Sequence, residues 1–155
     1  MKPWCDTILK KYGRMKKVET RVEKAIEKRD RGYNCAQAVA CTYCDLVGLD
    51  EKTMFKVIEG FGSGLANMHG TCGAVSGACA LAGLKESSGN LASPDSKGKT
   101  YKLVKKIVDE FEQQNGSIIC QDLKGVKTGK VLRSCPDCIR DAARLAEKVL
   151  FEQAE

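Results

Sequence analysis

Asn34-Cys35-Ala36-Gln37-Ala38-Val39-Ala40-Cys41-Thr42-Tyr43-Cys44-Asp45-Leu46-Val47 is the stretch that decides the fold. Asn34 brings a side-chain oxygen of the kind that caps a helix N-terminus. The residues after it are apolar nearly all round, which marks a helix buried on every side. Such a helix needs other elements packed around it, and the flanking sequence supplies helices. Upstream, Val18, Val22, Ala25 and Ile26 recur at helical spacing and predict an amphipathic helix over 15–31 that ends near Gly32. Downstream, a third helix is predicted over 51–59 with Asp50 as its cap, and a fourth over 72–84 with Thr71 as its cap. A long helix over 99–114 carries Leu103, Val104, Ile107, Val108 and Phe111 on its buried stripe and ends at Asn115-Gly116. A short helix opens at Ser117 and runs through Cys120 to Leu123, and the last, over 135–153, has Pro136 in its first turn.

The segments between these helices are loops: a glycine-rich one over 60–70, a polar one over 86–97 and a Gly- and Lys-containing one over 125–132. No strand pair, internal repeat or linker interrupts the pattern. The expected architecture is all-α, a single-domain bundle of about six helices spanning 1–155, with 1–15 as an N-terminal extension. In the fourth helix the small residues Gly73, Ala74, Ser76, Gly77, Ala78 and Ala80 permit close approach of another backbone, within the chain or across a homodimer.

At 155 residues, with 43% hydrophobic and 30% charged content, the chain can bury a core without disulfide staples. Its beginning, Met1-Lys2-Pro3-Trp4-Cys5-Asp6, has no continuous apolar run of a secretory signal, and no segment approaches the roughly 18 apolar residues of a membrane span. A soluble, cytoplasmic protein with no membrane insertion is expected. The net charge of +6 is spread over segments where Glu and Lys interleave, as in Glu19 to Arg29, which is the pattern of a solvated helix face. Aromatic residues make up only 6%, too few for base stacking, so nucleic acid is not an expected partner.

Nine cysteines, at 5, 35, 41, 44, 72, 79, 120, 135 and 138, then stand out. In a reducing compartment a dense set means metal binding, redox chemistry or buried thiols, and an odd count argues against a fully paired framework. Cys35, Cys72, Cys120 and Cys135 fall at or beside predicted helix starts, where free N–H groups and the helix dipole favour a thiolate. Four such starts converging at one end of a bundle would offer four sulfurs to a common centre. Cys41, Cys44 and Cys79 lie in helix interiors and are expected to be buried thiols, and Cys5 a surface thiol. The pair Cys41 and Cys44 sits mid-helix, a poor place for a metal knuckle, whereas Cys135-Pro136-Asp137-Cys138 has the spacing and position of a dithiol pair.

The series Gly60-x-Gly62-x-Gly64 lacks the Gly-Lys-Ser/Thr ending and preceding strand of a phosphate loop, so a loop passing close over the cysteine centre is expected instead. Gly62, Gly64 and His69 are its candidate cofactor-binding residues, with Cys138 beside them. His69, the single histidine, stands near Cys72 in sequence as a further ligand or proton donor, with a solvent-facing side chain as the plain alternative. No Ser-His-Asp or paired-carboxylate spacing appears, so no catalytic residue is assigned beyond the redox cysteines.

The segments Gly32-Tyr33-Asn34-Cys35-Ala36-Gln37-Ala38-Val39, Gly60-Phe61-Gly62-Ser63-Gly64, Thr71-Cys72-Gly73-Ala74-Val75-Ser76-Gly77-Ala78, Gly116-Ser117-Ile118-Ile119-Cys120-Gln121-Asp122-Leu123, and Cys135-Pro136 followed by Arg140-Asp141-Ala142-Ala143 resemble, in order, the C_GCAxxG_C_C family of redox-active proteins. By position, the resemblance carries the family's four cysteines onto Cys35, Cys72, Cys120 and Cys135. It implies redox activity and a relationship to the iron–sulfur part of split-Soret cytochromes. The chain has no Cys-x-x-Cys-His site, so haem is not implied. It departs from the family pattern in its first 15 residues and in extra cysteines at 5, 41, 44, 79 and 138.

Three functions remain in view. The first is a cytoplasmic redox or electron-transfer protein whose Cys35, Cys72, Cys120 and Cys135 ligate an iron–sulfur cluster, Cys138 being the substitute ligand, with a redox partner that the sequence does not identify. The second is a metal-free thiol–disulfide protein. The third is a binding module with structural zinc.

Overall fold

The computed structural model describes residues 19 to 152. The expectations for Cys5, for 1–15 as an extension and for the extreme ends of the first and last helices fall outside them. Seven α-helices follow one another: α1 (Val22–Asp30), α2 (Cys35–Tyr43), α3 (Glu51–Ile58), α4 (Gly73–Glu86), α5 (Lys97–Asn115), α6 (Cys120–Lys124) and α7 (Cys135–Ala146). Among the described residues the sole extended pairing is one isolated antiparallel bridge between Thr71 and Ile119, so the chain is all-α.

Two helices end differently from their periodicity. The stretch predicted as one helix over 35–47 changes to a 3-10 turn at Cys44–Val47 and stops at Gly48, whose φ of 76° is left-handed. The last helix loosens into a π turn at Glu147–Phe151. That turn serves a buried carboxylate: Glu147 accepts from the Tyr43 hydroxyl at 2.7 Å and from the Arg21 amide at 2.6 Å. The same carboxylate fixes the start of α1 at Val22, since the Thr20 hydroxyl and the Arg21 amide just before it both donate to Glu147.

The centre of the bundle is α4, which packs on α2, α5 and α7. Its small residues do what their size allows. A Cβ on Gly77 would lie 2.7 Å from the Ala36 carbonyl oxygen, so α2 and α4 meet backbone to backbone within one chain. Around this contact the core closes with Tyr43, Met54, Leu81, Ile107, Phe111 and Ile139, all buried. Among the described residues no helix is long and apolar enough to cross a membrane.

The helix starts are individually fixed, and this positions the site. At α2, Asn34 accepts from the Gln37 amide at 2.9 Å while the Gln37 side chain accepts from the Asn34 amide at 3.0 Å, a reciprocal capping box. Asp50 caps α3 as its sequence predicts, accepting from the Thr53 amide at 2.9 Å. At α7, Ser134 accepts from the Asp137 amide at 3.3 Å, with Pro136 in the first turn. At α4 the capping residue is Cys72, not Thr71, because Thr71 is drawn into the bridge with Ile119.

Candidate redox site

Cys35 and Cys135 are the first residues of α2 and α7, Cys120 is the first of α6, and Cys72 is the N-cap of α4. All four line one cavity of about 470 Å³, together with Cys138 from the first turn of α7. Cys72, Cys120 and Cys138 are buried, whereas Cys35 and Cys135 are part-exposed, so the cavity opens to the surface on their side. The remaining described cysteines stand apart from it. Cys41 and Cys44 belong to the core around α2, and Cys79 is half-buried on α4.

Backbone pairing sets two of these sulfurs directly. The Cys72 amide donates to the Ile118 carbonyl at 2.7 Å, and the Cys120 amide donates to the Gly70 carbonyl at 3.0 Å, one on each side of the Thr71–Ile119 bridge. The glycine-rich loop fits against the cysteines as its composition predicts. A Cβ on Gly64 would lie 2.5 Å from Cys120 Cβ, one on Gly62 would lie 2.6 Å from Asn34 Cγ, and one on Gly73 would lie 2.5 Å from Cys35 Sγ. Gly62 and Gly64 therefore hold the walls in place without lining the cavity, and Ser63 between them does line it. His69 is exposed and outside the lining, the solvent-facing alternative of its two readings.

Sequence reasoning missed how strained this loop is. Ser63, Leu65, Ala66 and Met68 all have positive φ, between 51° and 70°, a region that side chains disfavour. Strain of this kind persists only where surrounding contacts impose it, and it concentrates at functional sites. Here the Gln121 amide donates to the Met68 carbonyl at 2.9 Å, which locks the loop onto α6, and the Gly70 amide donates to the Gly64 carbonyl at 3.0 Å, which closes the loop on itself. Glycines at 60, 62 and 64 signalled a close approach, but nothing in the residue types announced left-handed Leu65 or Met68.

The sulfurs differ in acidity despite their shared placement. The Cys72 thiol is lowered to about 7, first by the neighbouring Cys138 thiol and then by the Ala74 and Val75 amides and by Lys124. Those amides point at the sulfur without completing a full cap hydrogen bond. Cys138 moves the opposite way, raised by the neighbouring Cys72 and by burial, and its thiol donates to the Arg133 carbonyl at 3.9 Å. Burial also raises Cys35 and Cys120, outweighing their helix-start position. The helix-start amides thus add to the lowering at Cys72 and are outweighed at Cys35 and Cys120. Farther off, burial pushes Cys41 up to about 12 and Cys79 to about 11, as inert core thiols require.

An all-helical bundle thus gathers five thiols from four helix starts around one cavity, an arrangement suited to a cysteine-rich redox class of protein. The chain belongs to the family described as putative redox-active protein (C_GCAxxG_C_C), whose model matches residues 33–149. No curated protein and no solved structure matches it.

Proposed function

We propose that the chain is an electron-transfer protein that binds an iron–sulfur cluster through Cys35, Cys72, Cys120 and Cys135, with Cys138 as the substitute for Cys135. One observation carries this reading: five cysteines from four separate helix starts line one cavity, while Cys41, Cys44 and Cys79 do not. The donor chemistry fits, since thiolates are the usual ligands of such clusters. Among the described residues no group of three or more His, Cys, Asp or Glu side chains stands close enough to hold a single metal ion. A cluster held here would supply one-electron transfer. The protein's own part is to present the sulfurs on rigid helix starts, to set Lys124 beside Cys72 and Cys120, and to bring Gly64 and Gly73 close without Cβ atoms in the way. We assign the cytoplasm as its compartment, where an odd set of reduced cysteines is maintained.

A second reading has its own observation, that Cys72 and Cys138 line the same cavity with the Cys72 thiol lowered and the Cys138 thiol raised. There the Cys72 thiolate would attack a substrate disulfide and Cys138 would resolve the mixed disulfide, leaving the Cys72–Cys138 bond and a reduced substrate. Anaerobic purification with assay of iron, sulfide and zinc separates the readings. Iron and acid-labile sulfide bound to the chain support the cluster. A metal-free protein that forms a reversible Cys72–Cys138 disulfide supports the second reading, and stoichiometric zinc with no redox change supports neither.

A further inference from the structure

Lys124-Gly125-Val126-Lys127-Thr128-Gly129-Lys130-Val131-Leu132-Arg133 joins α6 to α7 and carries four cations and no acid. It has a fixed shape. Gly125 and Gly129 turn it with φ of +67° and +71°, and the Gly129 amide donates to the Gly125 carbonyl at 2.8 Å. The Leu132 and Arg133 amides both donate to the Leu123 carbonyl, at 2.9 and 3.2 Å, so the two ends of the loop meet. A Cβ on Gly125 would lie 2.3 Å from the Lys130 carbonyl oxygen, which leaves the fold-back no slack.

Both ends of the loop, Lys124 and Arg133, line the cysteine cavity, and its outer residues project into solvent, with Val126 54% and Val131 60% exposed. The thiols beside Lys124 account for that cation, and the ion pair with Asp141, at 2.8 and 3.1 Å, accounts for Arg133. They do not account for Lys127 and Lys130, which lie outside the lining, are exposed, and make no ion pair among the described residues. In the cavity wall Arg29 is paired with Asp30 and Arg133 with Asp141, which leaves Lys124 as the cation that adds to Lys127 and Lys130 on this side of the mouth. Cations interspersed with exposed valines on a preformed loop suit a complementary protein face, where charge guides encounter and apolar contact holds it. The loop has no aromatic residue on which a base could stack.

We propose that this loop is the docking surface for an acidic redox-carrier protein, which exchanges electrons with the group in the cavity beside it. The proposal rests on the redox reading of the cavity. In the exchange the carrier is oxidised by one electron and the cavity group is reduced by one, with no bond made or broken.

The test uses an acidic flavodoxin as probe and the anaerobically prepared full chain. Binding is measured by calorimetry at several salt concentrations, and reduction is followed separately with flavodoxin hydroquinone and with dithionite. Binding should weaken as salt rises, and the double variant Lys127→Glu/Lys130→Glu should lose about tenfold in affinity. Its melting temperature and its reduction by dithionite should match the wild type. Equal affinities for the two proteins, binding insensitive to salt, or binding only to anionic vesicles or single-stranded DNA would overturn the docking surface. If dithionite reduces the protein but flavodoxin binding ignores the charge reversal, the docking surface fails and the redox reading stands. If binding follows charge but neither reductant changes the protein, the redox reading fails and the docking surface stands.

Discussion

Gly73 lies so close to Cys35 that a single added Cβ would stand 2.5 Å from the cysteine sulfur and 2.9 Å from the Phe61 carbonyl oxygen. The first turn of α4 is thus part of the wall that holds the Cys35 side chain. Gly73→Ala should swing that sulfur out, speed its alkylation and destabilise the fold by about 1–3 kcal/mol, the usual range for overpacking. Gly83→Ala, in the same helix but with nothing within 4 Å, should instead stabilise by roughly 0.5–1 kcal/mol. Urea denaturation of both variants, with peptide mapping of alkylated Cys35, checks the pair of outcomes.

The Cys72 thiol, lowered to about 7 from an ordinary 9.0, should be the first in the reduced, metal-free chain to react with iodoacetamide as pH rises. Cys41, near 12, and Cys79, near 11, should stay unlabelled through pH 8. Cys138→Ala removes the neighbour that contributes most and should move the Cys72 titration upward. A mass-spectrometric labelling profile with an unchanged midpoint would contradict that assignment.

Stability should follow the same groups. Between pH 7 and 9 the folded chain holds Cys72 as thiolate while the unfolded chain keeps its proton, so stability rises with pH over that interval. Above 9.0 the sign reverses, because Cys41 and Cys79 keep their protons in the folded chain after the unfolded chain has lost them. Chemical denaturation of the metal-free protein across this range should show the thiol contribution highest near pH 9.

Glu147 is the acceptor that ties the start of α1 and the end of α2 to the π turn, through Arg21, Tyr43 and the Thr20 hydroxyl at 3.3 Å. Glu147→Ala leaves a buried hydroxyl and an amide without an acceptor and should cost about 2–4 kcal/mol. Glu147→Gln retains one oxygen acceptor and should cost less than half as much. Thermal unfolding followed by circular dichroism distinguishes the two.

Much of this arrangement is legible in the residue types, because each cue is local. Asn34 before an apolar run, Asp50 three residues before Thr53 and Pro136 after Cys135 each mark a helix start, and the structure has helices there. The convergence of Cys35, Cys72, Cys120 and Cys135 follows from where those helices begin. Long-range contacts were not legible. Periodicity cannot show that Glu147 reaches Arg21 and turns the last helix into a π turn, nor that the Thr71–Ile119 bridge makes Cys72 the capping residue. Acidity likewise depends on burial and neighbours, so a helix-start rule that suits Cys72 misjudges Cys35 and Cys120.

The central claim concerns which sulfurs hold the redox group. Electron paramagnetic resonance of anaerobically prepared, dithionite-reduced protein, run on a set of single Ser variants, tests it most directly. A cluster signal should appear in the wild type and persist in Cys41→Ser, Cys44→Ser and Cys79→Ser. It should vanish in Cys35→Ser, Cys72→Ser and Cys120→Ser, and survive weakened in Cys135→Ser through Cys138. A wild-type protein with no signal, no iron and no sulfide, or a signal indifferent to Cys35, Cys72 and Cys120, contradicts the account.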